Sequence, residues 1–115
     1  INLDYLSHRT KSNPKLMMEM ISLYLLQTPP LVETLKSSMQ AKDWSSLYAA
    51  IHKMIPSFSI MGISKDYEDM AKKIQSFASA QEESDEIESM IFKIEAMCKQ
   101  AFAELNEEIE LMKKM

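Results

Sequence analysis

Glycine and cysteine are nearly absent from this chain of 115 residues, which contains one of each together with two histidines. A single glycine excludes a glycine-rich phosphate-binding loop and a dinucleotide-binding fingerprint. A single cysteine cannot form an internal disulfide, and two unclustered histidines do not complete a zinc-binding pattern. We therefore expect this chain to bind neither a metal nor a cofactor.

A basic stripe and a long apolar run are also missing. The net charge is −4, without the clustered Lys and Arg that are typical of a nucleic-acid-binding module. The longest apolar run, Leu16 to Leu26, is too short to span a bilayer and contains Glu19. No signal peptide is visible. We therefore expect a cytoplasmic location without nucleic-acid or direct membrane contact, and a chain that starts at Ile1 is consistent with a segment of a larger sensor protein.

Helix-forming residues dominate the remaining composition and predict an all-α fold in a single domain, residues 1–115. Signals for the start of a helix occur at Asn13-Pro14, Asp43, Ser64 and Ser84. The connectors between them are short, which favours antiparallel neighbours. The prediction is an up-down-up-down antiparallel four-helix bundle with a short N-terminal helix. The alternative is an open array of helical hairpins that needs a partner to complete its core.

The N-terminal segment is expected to form only a short helix. Asn2 is a suitable cap, with Leu3 and Leu6 as the inward residues. The polar stretch from Ser7 to Ser12 is predicted to be a connector, with His8 on the surface.

The second helix is interrupted in sequence by Pro29 and Pro30. Because proline lacks a backbone N–H, the pair predicts a kink or a restart capped by Thr28. The segment from Pro14 to about Gln27 is apolar on nearly every side, which is typical of a helix flanked by other helices.

The stretch from Asp43 to Gly62 predicts an amphipathic helix with one outward histidine. Its apolar stripe consists of Leu47, Ile51, Met54, Phe58 and Met61. At about 100° per residue, His52 lies roughly 120–140° from the centre of this stripe. His52 should therefore point away from the core, beside apolar and small residues.

The segment from Ala50 to Gly62 resembles the signature of histidine-containing phosphotransfer (HPt) domains of multistep phosphorelays. In that signature an apolar residue stands two positions after the histidine, and a Lys stands three positions after it. A small residue, commonly Gly, follows at the fourth position, a Ser at the fifth and a Gly at the tenth. The matching positions are Met54, Ser57 and Gly62. Ile55 and Pro56 stand where the usual Lys and Gly would be. The chain length, the helix order, the proline-marked second helix and the Asp43-Trp44 lead-in are also similar to this family.

The resemblance implies that His52 accepts a phosphoryl group from an aspartyl phosphate of a receiver domain, such as that of a hybrid histidine kinase, and passes it on. The receiver would supply the aspartate and Mg²⁺, so this chain would be a phosphocarrier and not an enzyme. A neutral imidazole is a good nitrogen nucleophile, and an ordinary histidine loses its proton at about pH 6.5. The motif would be supported by Lys53, Ser57 and Gly62. The receiver would dock on a face formed by Tyr48, Ala49, Ile55, Pro56 and Ser59.

Two substitutions in the motif carry further expectations. Pro56 removes the N–H that would bond to the carbonyl of His52, so a kink is expected at the phosphoacceptor. Ile55 stands where the family usually has a Lys, so the cation that this Lys would provide is missing. Lys53 is next to His52 in sequence but lies about 100° from it around the helix, so it does not obviously replace that cation. Lysines of the next helix that could approach are Lys65, Lys72 and Lys73. The alternative function is a helical interaction module that binds receivers or other partners without accepting phosphate.

Overall fold

Helices account for most of the computed structural model, which describes residues 1–114 and has no strand in that range. The helices are α1 (Asp4–Arg9), α2 (Pro14–Ala41), α3 (Trp44–Ile60), α4 (Lys65–Ala80) and α5 (Asp85–Lys113). The all-helical prediction is confirmed. None of these helices combines the length and the apolar character needed to cross a membrane.

The four longer helices begin where the sequence predicts. Each is preceded by a side chain that accepts a backbone N–H of the first turn; these caps are Asn13, Asp43, Ser64 and Ser84. At α3, the Asp43 carboxylate accepts the Ser46 N–H at 3.2 Å and the Ser46 hydroxyl at 2.7 Å. Such caps satisfy donors that have no partner within the helix.

The cap of α3 is expected to respond to acid. The Ser46 hydroxyl, and after it the Ser46 N–H, holds the pKa of Asp43 below its ordinary value of 3.8. A carboxyl with a lower pKa in the folded chain stabilises the fold fully above its unfolded value, and this contribution is lost as the pH falls through the folded value. Asp43→Asn keeps a capping side chain that does not titrate, so we expect it to lose less stability than wild type below about pH 4. Urea unfolding midpoints from pH 6 to pH 2 measure this, and identical pH profiles would contradict it.

The main core lies between α2, α3, α4 and α5. Helix α3 packs against α2 and α4, and α5 packs against the same two helices from the other side. The predicted stripe of α3 is buried in full: Leu47, Ile51, Met54, Phe58 and Met61 are each at most 2% exposed. Cys98 is buried on α5, and this burial raises the pKa of its thiol to about 11. Cys98 is therefore a protonated core residue near neutral pH.

Helix α2 runs without a break through Pro29 and Pro30, so the predicted restart at Thr28 is wrong. Its buried residues are Met17, Ile21, Tyr24, Thr28, Val32, Leu35 and Ser38. Their spacing of three or four continues across both prolines, so one packed stripe holds the helix together. Both prolines lie on the exposed side of the helix, away from this stripe. The kink stays a prediction.

Helix α1 is longer than predicted, because Ser7, His8 and Arg9 belong to it and not to a connector. The predicted cap at Asn2 is displaced by one residue, because the capping position of α1 is Leu3, whose side chain makes no capping hydrogen bond. The Asn2 side chain lies one position earlier and accepts the Asp4 N–H at 2.9 Å. The end of the helix is closed by the buried Thr10, whose hydroxyl donates to the Leu6 carbonyl at 2.9 Å. His8 is exposed on this helix.

The first half of α2 is not flanked on all sides, contrary to the prediction. Leu16, Leu23 and Leu26 are 45%, 52% and 73% exposed. The reason is helix length: at 1.5 Å per residue α2 and α5 are about 42–44 Å long, whereas α3 and α4 are about 24–26 Å. A second core cluster fills the inner side of this half with Leu6, Met17, Ile21, Tyr24, Met61 and Leu105. The described part is accordingly elongated, 48 × 20 × 19 Å.

Candidate functional site

His52 lies in the middle of α3 with an exposed side chain, as the spacing of the stripe predicts. The preceding residue, Ile51, is fully buried, so the helix is held against the core directly below the imidazole. A rigid helix presents this side chain more uniformly than a loop would.

The ring of His52 is stacked on Tyr48. The ring centroids are 5.8 Å apart and the planes differ by 8°. The Gln75 side-chain amide of α4 donates to the Tyr48 hydroxyl at 3.3 Å. Tyr48 is therefore held from the next helix and, through the stack, favours one orientation of the imidazole.

An open groove between α3 and α4 surrounds this histidine. It is lined by Tyr48, His52, Ile55, Pro56, Lys72, Gln75, Ser76, Ser79 and Ala80. Three of the five residues predicted as a docking face, Tyr48, Ile55 and Pro56, thus meet around the imidazole. Ala49 and Ser59 are exposed but do not line the groove.

The sequence predicts that Ile55 points away from the core, but in the structure it does so only in part. It is half-buried and packs against the main core in addition to lining the groove. At about 100° per residue it lies about 80° from the centre of the buried stripe, closer than the other groove residues of α3. Ile55 is therefore an apolar wall that joins the groove to the core.

The polar residues of the motif, Lys53 and Ser57, do not line the groove around the imidazole. Lys53 is exposed and does not line the groove. Ser57 is half-buried, and its hydroxyl donates to the Met54 carbonyl at 2.6 Å. The Ser57 hydroxyl therefore bonds to the backbone of its own helix.

Gly62 is required by a contact with the N-terminal segment. Its φ angle is +66°, and a Cβ at this position would overlap the backbone of Asn2. The Asn2 N–H also donates to the Met61 carbonyl at 3.1 Å. Only glycine lets the chain before α1 cross the end of α3 this closely, and no sequence pattern indicated this contact.

Pro56 does not end the helix that carries His52, since α3 continues to Ile60. Without a proline N–H, the His52 carbonyl has no donor at the usual position one turn later. The kink expected here stays a prediction.

Among the lysines that could approach from α4, Lys72 lines the groove. Its ammonium lies 3.7 Å from a Glu68 carboxylate oxygen, one turn earlier on the same helix. Lys73 instead pairs with Glu86 of α5 at 2.8 Å. Lys65 does not line the groove.

Apart from Lys72, the residues on the α4 side of the groove were not identified from sequence. Gln75, Ser76 and Ser79 belong to the polar side of an amphipathic helix, and this pattern alone does not distinguish a groove from ordinary solvent exposure. Within residues 1–114 no group of three or more His, Cys, Asp and Glu side chains is arranged to hold a metal ion.

In comparisons with known proteins, no family model, curated protein or solved structure matches the chain. The resemblance of the His52 segment to the HPt signature therefore stays a prediction.

Proposed function

We propose that this chain is an HPt-like phosphocarrier in which α2 to α5 form an antiparallel up-down-up-down four-helix bundle and α1 covers one end. Each of these helices packs against two of the others, and the connectors between them are short, which supports the bundle. The exchange would take place in the cytoplasm with receiver domains, including one of a hybrid histidine kinase.

The observation that carries the proposal is the setting of His52. Its imidazole is exposed in mid-helix, stacked on Tyr48, and bordered by the apolar Ile55 and Pro56. Exposure gives a second protein access to a ring nitrogen. Apolar walls would exclude water from the contact and strengthen the electrostatic interactions within it.

The reaction supported by this setting is phosphoryl transfer between an aspartate and a histidine. The lone pair of an unprotonated ring nitrogen of His52 forms the N–P bond while the P–O bond of the aspartyl phosphate breaks. The electron pair of the broken bond leaves with the partner's carboxylate. Because such transfer depends mainly on positioning and charge stabilisation, this chain needs to supply only the oriented nucleophile and the docking groove.

The test is transfer from a phosphorylated receiver. Receiver domains of the source organism are labelled with radioactive acetyl phosphate and Mg²⁺, mixed with the chain, and separated on gels over time. We expect the label to move to the chain and, after a second receiver is added, to leave it again. Receiver binding without any label on the chain would favour the alternative, an interaction module that does not accept phosphate.

A further inference from the structure

The helix that carries His52 offers the groove no cation. Position 55 is Ile, and Lys53 lies outside the groove lining. A phosphoryl group on His52 would bring about two negative charges into a groove whose α3 wall is apolar. Stabilisation of that charge must then come from the partner or from α4.

Lys72 is placed on α4 opposite His52. The hydrogen bond between Gln75 and Tyr48 fixes the register of the two helices at one point. One turn forward along α3 from Tyr48 leads to His52, and one turn back along α4 from Gln75 leads to Lys72. Both side chains accordingly line the same groove.

Lys72 is free to change its partner. Its side chain is 59% exposed, and its contact with Glu68 is a single ion pair of 3.7 Å within one helix. Exposed pairs of this kind contribute little to stability, because water and salt screen them. A phosphoryl group within reach would present three acceptor oxygens and a larger charge than the carboxylate.

We propose that Lys72 binds the phosphoryl group on His52, leaving Glu68 to do so, and that α4 thus supplies the cation that α3 lacks at Ile55. This inference rests on the proposed phosphocarrier function. Lys72 donates hydrogen bonds to the phosphoryl oxygens, and no bond to its nitrogen is made or broken.

The experiment uses phosphoramidate, a small phosphoryl donor, so that no receiver lysine can contribute. The His52 ring nitrogen forms the N–P bond, the P–N bond of the donor breaks, and ammonia leaves. We expect Lys72→Ala to lower the initial labelling rate about fivefold to tenfold and to shorten the lifetime of the phosphohistidine. Lys72→Arg should restore most of both, since it keeps a cation that can bind phosphate.

Lys73→Ala is the matched control. It removes the same charge from the next residue, whose ammonium is bound to Glu86 outside the groove, and it should label like wild type. Unfolding midpoints of all variants should agree closely, because both lysines are exposed. Equal rates and lifetimes for Lys72→Ala and Lys73→Ala would overturn the proposed role of Lys72 but not the phosphocarrier function. An unlabelled wild-type His52 would overturn the phosphocarrier function and this inference together.

Discussion

Replacement of His52 by glutamine is expected to abolish labelling of the chain by a phosphorylated receiver. Glutamine keeps a polar side chain of similar size in the groove but has no nucleophilic ring nitrogen. His52 is the histidine of the groove, and no other groove-lining side chain is a nitrogen nucleophile of comparable reactivity. The measurement is the time course of label on the chain after mixing with radioactive phosphorylated receiver.

His8→Gln is the matched control for this experiment. His8 is the second of the two histidines and is exposed on α1, outside the groove. The control should be labelled at the wild-type rate. Equal labelling of His52→Gln and wild type would exclude His52 as the acceptor, whereas loss of label in His8→Gln alone would move the site to α1.

Gly62→Ala is expected to destabilise the chain by about 2–4 kcal/mol. Two costs combine: a left-handed backbone that alanine disfavours, and a Cβ that overlaps the backbone of Asn2. The N-terminal segment would have to move away from the end of α3, with loss of the hydrogen bond from Asn2 to Met61. Urea or thermal unfolding followed by circular dichroism measures the change.

The two costs can be separated with variants. Asparagine tolerates a left-handed backbone, so Gly62→Asn should recover only part of the loss if the overlap with Asn2 matters. Gln81 has a φ of 55° and already carries a Cβ, so Gln81→Ala should change stability by less than about 1 kcal/mol. A Gly62→Ala variant as stable as wild type would show that the close crossing of Asn2 is not needed for the fold.

Local signals allowed much of the helical architecture to be predicted. The capping side chains depend on hydrogen bonds within a few residues of one another, as the contact of Asp43 with Ser46 illustrates. The buried stripe of α3 depends only on helical periodicity, and the same periodicity placed His52 outward. Such features depend on nearby sequence and can therefore be recognised there.

Contacts between helices could not be predicted in this way. The continuity of α2 through Pro29 and Pro30 depends on a packed stripe whose partners lie on other helices. The hydrogen bond from Gln75 to Tyr48 joins residues 27 positions apart, and the overlap that requires Gly62 involves Asn2, 60 positions away. These contacts depend on helix register and on the path of the chain, which periodicity within one helix does not specify.

The motif and the structure answer different parts of the functional question. The spacing around His52 suggested the HPt resemblance, and the missing Lys at position 55 left the source of a cation open. The groove brings Lys72 to the same site as His52. The hypothesis is therefore that a histidine on α3 accepts the phosphoryl group and a lysine on α4 binds it. The role of each residue can be tested separately.

The central claim is tested most directly by locating the phosphate after transfer. The wild-type chain is mixed with a phosphorylated receiver, digested under neutral conditions, and analysed by tandem mass spectrometry. We predict a phosphorylated peptide with the added mass on His52 and with an acid-labile N–P bond. A peptide that contains an unmodified His52, recovered while the receiver binds the chain and keeps its phosphate, would contradict the claim.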